Sequence, residues 1–530
     1  ATPRGYILME PTPAPVQPTP TPPPAGEKPR SGGILITSIY ADPESWDPHQ
    51  ESGVPIMVTA PVLSGILQYD PLDQSKIIGD LAQRWEVSPD GLTYTFFLTP
   101  GVKWHDGKPF TSEDAMFSLN RVRTPPTGMA SPRKGSFAAV DKVETPDKDT
   151  LKITLKYPSA SFLDVLAMGW NLMVPKQIAE PLGGKKMSYR ENIGTGPFKF
   201  KEFVSAVSID FVKNPDYFVP GRPYLDGFRV YIIRDVAATQ AAFRTGNVNM
   251  TYFSGTGWLP SDVETAKKAR PDAVVQKALN LQMPNMGMNT KRKPFDDPRV
   301  RKAIFLAIDR QVGNQVVQQN EGRVGGPFPP TSPWALPESE LLQMPGYRQP
   351  KDQDLAEAKR LLAEAGYATG FKTALTARPE KINQDLSVFL VDQLRKLNIQ
   401  AEIQTTEVAT FLTNVNGRNF DLFEWTQALA TDDPDQVFGD FYITKAGRNF
   451  ESHIIPGFDE LFDKQSRTLD PAERKKQVLQ MQKTILDNPA KVIVVWQTLF
   501  QLFDPAVRNY KVATRGIYNN QKFQDVWLAK

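Results

Sequence analysis

The sequence predicts an α/β protein with at least two separately packed cores. Its 530 residues go well beyond the roughly 250–300 at which a single hydrophobic core stops growing. The apolar pattern also changes along the chain. A strand-rich first part gives way, after Asp354, to a regular alternation of helices and strands, an order that packs helices on a largely parallel sheet through right-handed crossovers.

Apolar residues make up 40% of the chain and charged residues 23%, as in a globular protein that folds in water. With 62 Lys+Arg against 59 Asp+Glu, the balance of +3 is too even to hold the chain on nucleic acid by counterion release, so no nucleic-acid partner is expected. The absence of cysteine excludes disulfides, thiolate metal sites and cysteine nucleophiles. The longest apolar stretch, VIVVW at 492–496, has the length of a buried strand and falls far short of the roughly 18 residues of a membrane span. Residues 1–30 contain PTPAPVQPTPTPPP, a stiff, extended tether that builds no core. Because the chain starts at Ala1 rather than Met, a preceding signal segment with a lipidated cysteine is expected. The tether would then hold the body off a membrane that it meets only through that anchor.

GGILITSIY (32–40) reads as the first buried strand. LTYTFFL (92–98) and TLKITL (150–155) follow, with Pro89-Asp90-Gly91 and Asp106-Gly107 as turns. Thr111 and Asp114 form a capping box for a helix through Arg121. Three more strands are readable at 207–213, 228–233 and 273–279, with a helix from Asp235 ended by Gly246. Asp297-Pro298 opens a helix whose Val300, Ile304, Ala307 and Ile308 share one face. The alternating series runs helix to Gly366, strand 371–377, helix 386–397, strand 399–405, helix, strand 420–425, within an α/β lobe over roughly 291–497. Asp470-Pro471 caps a last helix that buries Val478, Met481 and Ile485.

Motifs for catalysis are missing. The three histidines, His49, His105 and His453, lie far apart and lack the spacing of a zinc hydrolase. There is no G-x-S-x-G elbow and no phosphate-binding G-x-x-x-x-G-K-[ST] loop. His105-Asp106-Gly107 is a turn signal rather than a base beside its carboxylate. Asp432-Asp433-Pro434-Asp435 is too short a series for calcium and reads as a capped acidic loop. The chain is therefore expected not to be an enzyme, with no cofactor and no metal.

Several ordered segments resemble one family. GGIL…WDP, LAQRWEVSPDGLTYTFFLTPGVKWHDGKPFTSEDAMFSLNRV (81–122), IGTGPFKF (193–200), KNPDYFVPGRPYLDGFRVYII (213–233), PFDDPRVRKAIFLAIDR (294–310), AKRLLAEAGY (358–367) and DPAERKKQVLQMQKTIL (470–486) are similar to blocks of the family 5 solute-binding proteins. These are the large extracytoplasmic binding proteins of peptide, nickel and oligosaccharide ABC importers. The resemblance covers nearly everything from Gly32 onward. It implies an α/β, two-lobe periplasmic-binding-protein fold, hinge-linked, with an enlarged first lobe. That lobe would comprise 31–61, 198–282 and 498–530, with 62–197 inserted as a subdomain; 283–497 would form the second lobe. It further implies a monomer outside the cytoplasm, in the periplasm or on the cell surface. There it would close on a small organic ligand, a short peptide first, and pass it to the membrane subunits of an ABC permease.

In such a trap, contacts from both lobes favour closure. From the first lobe, Gln50, Glu51, Ser52 and Gly53 resemble in position a cleft-lining segment of dipeptide-binding members, weighed against an ordinary surface loop. From the second, Arg378 stands where those members carry an arginine for the ligand carboxylate, a pairing that a guanidinium makes in bidentate form. Trp425 closes the last strand at the carboxyl end, where open α/β sheets bind ligands. The family's peptide binders place an aspartate three residues beyond that tryptophan. Here WTQALATDDPDQ (425–436) has Ala428 there, so either Asp432 or Asp433 takes over the charge or the ligand lacks a free amine, and Gln427 is a further candidate in the same segment. Trp258 and Tyr442 are further candidates, each with a core role as its alternative. An oligosaccharide or opine-like amino-acid conjugate is the alternative ligand, and nickel ranks last for want of clustered histidines. A secreted hydrolase and a peptide-chaperone or adhesion module are the rival classes.

Overall fold

The computed structural model describes residues 27–51, 53–251, 258–512, 514 and 522–529, and its larger sheets each carry a core. In the first lobe Ile34–Ile39 runs parallel to Gly227–Ile232, with Ser208–Lys213 and Phe198–Val204 following antiparallel. Leu35, Phe198, Phe211 and Phe228 pack beneath them, and the rings of Phe211 and Phe228 stack at 4.3 Å. The Phe198–Val204 strand escapes the sequence reading, although FKFKEFV alternates between aromatic and charged residues.

The intervening stretch builds its own four-stranded antiparallel sheet in the order Ala82–Val87, Thr93–Leu98, Thr150–Leu155, Val140–Asp147. Tyr94, Phe96 and Leu98 point inward at every second residue and meet Leu151, Ile153 and Leu155. The helix Ser112–Arg123 starts where the capping box predicts, with the Thr111 N–H donating to Asp114 Oδ2 at 3.1 Å. Both turns named from sequence hold a glycine at positive φ, Gly91 at 68° and Gly107 at 88°.

The second lobe has a five-stranded sheet in the order Gln400–Thr405, Lys372–Ala377, Leu422–Ala428, Gln282–Met288, Lys491–Ile493. Its first three strands are parallel, as the alternation predicts, but the last two pairings are antiparallel, so the sheet is mixed rather than largely parallel. The reason lies in the two strands that cross from the first lobe. Val274–Leu279 pairs antiparallel with Thr498–Phe503 on the first-lobe side. The same two segments pair again as Gln282–Met288 and Lys491–Ile493 in the second lobe. Between these pairings the ladder is carried by Asn280 N–H to Gln497 O at 2.9 Å, Gln497 N–H to Gln282 O at 3.0 Å and Val494 N–H to Pro284 O at 2.9 Å. The helix Pro298–Ala307 packs Val300, Ile304 and Ala307 onto this sheet's core, and Pro471–Asp487 buries Val478, Met481 and Ile485 as its spacing predicts.

A buried ion pair fastens the helix Ser112–Arg123 to the loop that carries Asp47. Arg121 donates to both oxygens of Asp47, at 2.9 and 2.6 Å, and neither side chain is more than 1% exposed. Burial pushes the Asp47 carboxyl up, but Arg121 outweighs it and holds the group at about 2. His49 completes the cluster. Its Nδ1 lies 3.0 Å from Arg121 Nη1, so it accepts there, while Nε2–H donates to Leu172 O at 2.8 Å. Burial and the neighbouring guanidinium lower the His49 pKa to about 4, keeping the ring neutral. Replacing Arg121 by Met leaves a dry, unpaired Asp47, and a loss of about 3–5 kcal/mol is expected in guanidinium denaturation at neutral pH.

Candidate functional site

The strand Leu422–Ala428 divides its side chains between two faces. Leu422 enters the main second-lobe core, while Phe423 and Trp425 turn to the opposite face and meet Phe411 and Phe450. Trp425 stays half-buried, stacked on Phe450 at 5.7 Å with Phe411 edge-on at 5.6 Å. Arg378 is the first residue beyond the neighbouring strand Lys372–Ala377. Its guanidinium carbon lies 6.0 Å from the Trp425 ring and 5.9 Å from the Phe411 ring, at the outer end of cation–π range. Arg378 and Trp425, predicted separately, thus meet where Lys372–Ala377 ends; Trp425 does not close its own strand as the sequence reading has it, because pairing with Gln282–Met288 carries that strand on to Ala428.

Two carboxylates that sequence reasoning missed hold Arg378. Its backbone N–H donates to Glu424 Oε1 at 2.9 Å, its Nε–H donates to Glu380 Oε2 at 3.1 Å, and its Nη2 donates to Glu380 Oε1. Asn383 Nδ2 donates to Glu380 Oε2 at 3.1 Å. Burial raises the Glu380 carboxyl, yet the Arg378 bonds and charge outweigh it and leave the group below its ordinary range. Glu424 goes the other way. It is fully buried, Oε2 has no hydrogen-bond partner among the described residues, and burial pushes its pKa up to about 8. The signal for Glu424 was available, since a carboxylate interrupts the apolar run FDLFEW (420–425).

Other predicted residues sit elsewhere. Gln427 is buried and accepts from Lys491 Nζ at 2.7 Å; Lys491 lies 3.3 Å from Glu451, so Gln427 belongs to an internal polar cluster. Asp433 caps the helix Pro434–Phe441 and receives both Nη groups of Arg474 at 2.9 Å, which commits its charge within the fold. Asp432 is 5% exposed. Trp258 packs edge-on against Phe243 in a small first-lobe core, and Tyr442 lies among Phe438, Phe441 and Phe458. Both are core residues because dense aromatic packing surrounds them. Glu51 accepts from Ser45 Oγ at 3.0 Å and pairs with Lys186 Nζ at 2.5 Å; Arg133 binds its carbonyl. Gly53 precedes the helix Val54–Thr59 with φ at 68°, and Gln50 Nε2 donates to Asp47 at 2.9 Å. Ser52 lies outside the described residues. His105 is structural: Nε2 lies 3.0 Å from Gly196 O, and Nδ1 accepts from Gly194 N–H at 3.3 Å.

Tyr69, Ala160 and Ser161 touch the second lobe directly. Ala160 N–H donates to Ser466 O at 2.9 Å, Ser161 Oγ donates to Asp435, and Tyr69 Oη lies 3.5 Å from Thr431 Oγ1. A cavity of about 350 Å³ lies there, lined by Tyr69 and Asp164 on one side and by Trp334, Asp433, Leu469 and Arg474 on the other.

Two α/β bodies joined by a double strand crossing, with an aromatic–arginine cluster at a strand end and a cavity between bodies, define a hinged binding protein. The family model for bacterial extracellular solute-binding proteins, family 5 (middle), matches residues 76–449, and the chain belongs to this family. Di/tripeptide-binding protein 1 of Pseudomonas aeruginosa (strain UCBPP-PA14) is 27% identical over 522 residues, covering 94% of each chain. The periplasmic binding protein DppA from Helicobacter pylori, solved with the peptide STSA, superposes with a TM-score of 0.79 at 26% identity, covering 94% of this chain and 99% of that one. AgaA from A. tumefacien R10, solved with agropinic acid, shares the fold with a TM-score of 0.78 at 24% identity, covering 94% and 99%. Among the described residues no helix is long and apolar enough to cross a membrane.

Glu424 makes stability depend on pH. Between its ordinary value of 4.5 and about 8 the unfolded chain is ionised while the fold keeps the proton. The unfolded state therefore binds fewer protons, and stability falls as pH rises through that window. Glu424→Gln should remove this slope. The variant is expected to gain up to about 4 kcal/mol over the parent at pH 8 and nothing near pH 4.5, read from denaturation midpoints across the range.

Proposed function

We propose that this chain is the ligand-capturing component of an ABC importer, that it binds a short peptide in the cleft between its lobes without altering it, and that it delivers the peptide to the membrane permease. The observation that carries the reading is the Arg378–Trp425–Phe411–Phe450 cluster at the carboxyl end of the second-lobe sheet. It offers a flat apolar surface beside rigid hydrogen-bond donors, the composition of a pocket that fixes a small organic molecule. The peptide-binding relatives support the choice of ligand. On this reading 31–61, 198–282 and 498–530 form the first lobe, 62–197 its inserted subdomain and 283–497 the second lobe. The protein works as a monomer outside the cytoplasm.

An opine-like amino-acid conjugate is the second reading. It is favoured by Ala428 at the position where the resemblance calls for an amine-binding aspartate. Such a conjugate carries no free primary amine for a carboxylate to hold. Native mass spectrometry of the purified protein separates the two by the mass of the retained ligand, and a ligand chemically converted on contact would end both readings.

Ligand-driven closure predicts a smaller radius of gyration in solution scattering when ligand is added. A binder that does not close would show no change. Trp425→Ala is expected to weaken binding by about 2 kcal/mol, roughly thirtyfold in Kd, in calorimetric titration. Its thermal midpoint without ligand should move little, because the indole is only half-buried.

A further inference from the structure

Arg378 stands beside Trp425 and Phe411 while Arg418 reaches Phe450 at 5.5 Å, and Arg378 is not a free charge. Glu380 takes its Nε–H at 3.1 Å and one Nη2–H, in a side-on bidentate pair. Asn383 anchors the same carboxylate at 3.1 Å, and Glu380 stands at the N-terminal cap of the helix Lys381–Arg395, where the helix dipole favours a negative charge. Burial alone would raise the Glu380 pKa, but Arg378 keeps it below the ordinary range, so the carboxylate stays ionised at neutral pH. A second anion approaching Arg378 also meets Glu380. At a few ångströms and an effective dielectric near 20, the attraction and the repulsion are each a few kcal/mol and nearly cancel. What remains are the guanidinium N–H groups not taken by Glu380, which donate to a neutral oxygen without a charge penalty.

Of the acidic residues beyond the strand, Asp433 is similarly committed. Asp433 is paired with Arg474 through both oxygens, and Asp432 is buried and not without a partner. The strand itself ends in Ala428.

From this the geometry points to Glu380 as the specificity-determining residue of the cleft. By compensating Arg378 it directs the remaining donors to an uncharged carbonyl, so that a peptide is read through its backbone amides and its ends are not read as charges. This rests on the peptide reading above and narrows it to peptides bound equally well with free or blocked termini.

The test titrates the parent protein, Glu380→Gln and Arg378→Ala with a mixed-sequence tripeptide library in two forms, free and N-acetylated with a C-terminal amide. A second arm follows the Arg378 Nε–H signal by NMR against sodium acetate. The parent is expected to bind the two library forms within about threefold of each other, with acetate leaving its Arg378 signal unmoved. Glu380→Gln should come to prefer the free form by about tenfold, with a saturable acetate response, and Arg378→Ala should show no such preference. A parent protein that already prefers free peptides by about tenfold, or a Glu380→Gln variant with an unchanged ratio, overturns the assignment. If neither library form binds the parent, the peptide reading fails. The acetate arm still decides the role of Glu380, since saturation in the parent would show an uncompensated Arg378.

Discussion

The architecture depends on one constraint: two chain segments pass between the lobes side by side, and the hydrogen-bond ladder between them continues across the gap. Val274–Leu279 and Thr498–Phe503 pair in one body, Gln282–Met288 and Lys491–Ile493 pair in the other, and Asn280, Gln497, Pro284 and Val494 link the two pairings. A doubly hydrogen-bonded ribbon resists stretching and shear but bends at its few unpaired residues, which is the behaviour of a hinge. The lobes can therefore approach or separate without either core being opened.

The crossing also sets the surroundings of Arg378 and Trp425. Because the crossing strand Gln282–Met288 lies against Leu422–Ala428 in the second lobe, that strand is central, and its two faces are both used. One face closes the apolar core; the other carries Phe423 and Trp425 to Phe411 and Phe450. The adjacent parallel strand ends at Ala377, which sets Arg378 beside the indole. Glu424 faces away from the aromatics and fixes the Arg378 backbone through a buried carboxyl that holds its proton at neutral pH. The arginine is thus oriented by one acid and neutralised by another.

Charge compensation recurs through the molecule. Asp47 with Arg121, Asp433 with Arg474, and Glu451 with Lys491 are buried pairs, and each joins segments distant in sequence. Buried pairs add little net stability but make loss of one partner costly. They fix how loops meet helices.

The elements whose local pattern is strong were legible in the sequence. Capped helices such as Ser112–Arg123 and Pro298–Ala307 carry their start signals and apolar faces in a few adjacent residues, and the parallel strands around Lys372–Ala377 follow from the helix–strand alternation. Arg378 and Trp425 were each named through the resemblance, but their meeting is a matter of the sheet register. Tertiary structure alone decided the strand Gln282–Met288, whose Pro284 and Gly287 read as strand breakers. Its place in the sheet rests on long-range partners: Pro284 keeps its carbonyl for Val494, and a Cβ at Gly287 would come within 2.1 Å of Phe423. It also decided which polar side chains are already spent, because the partners of Asp433 and Gln427, Arg474 and Lys491, lie 41 and 64 residues away. Local sequence records the preference of a residue for its neighbours in the chain. Which charge is cancelled by which depends on where the chain returns.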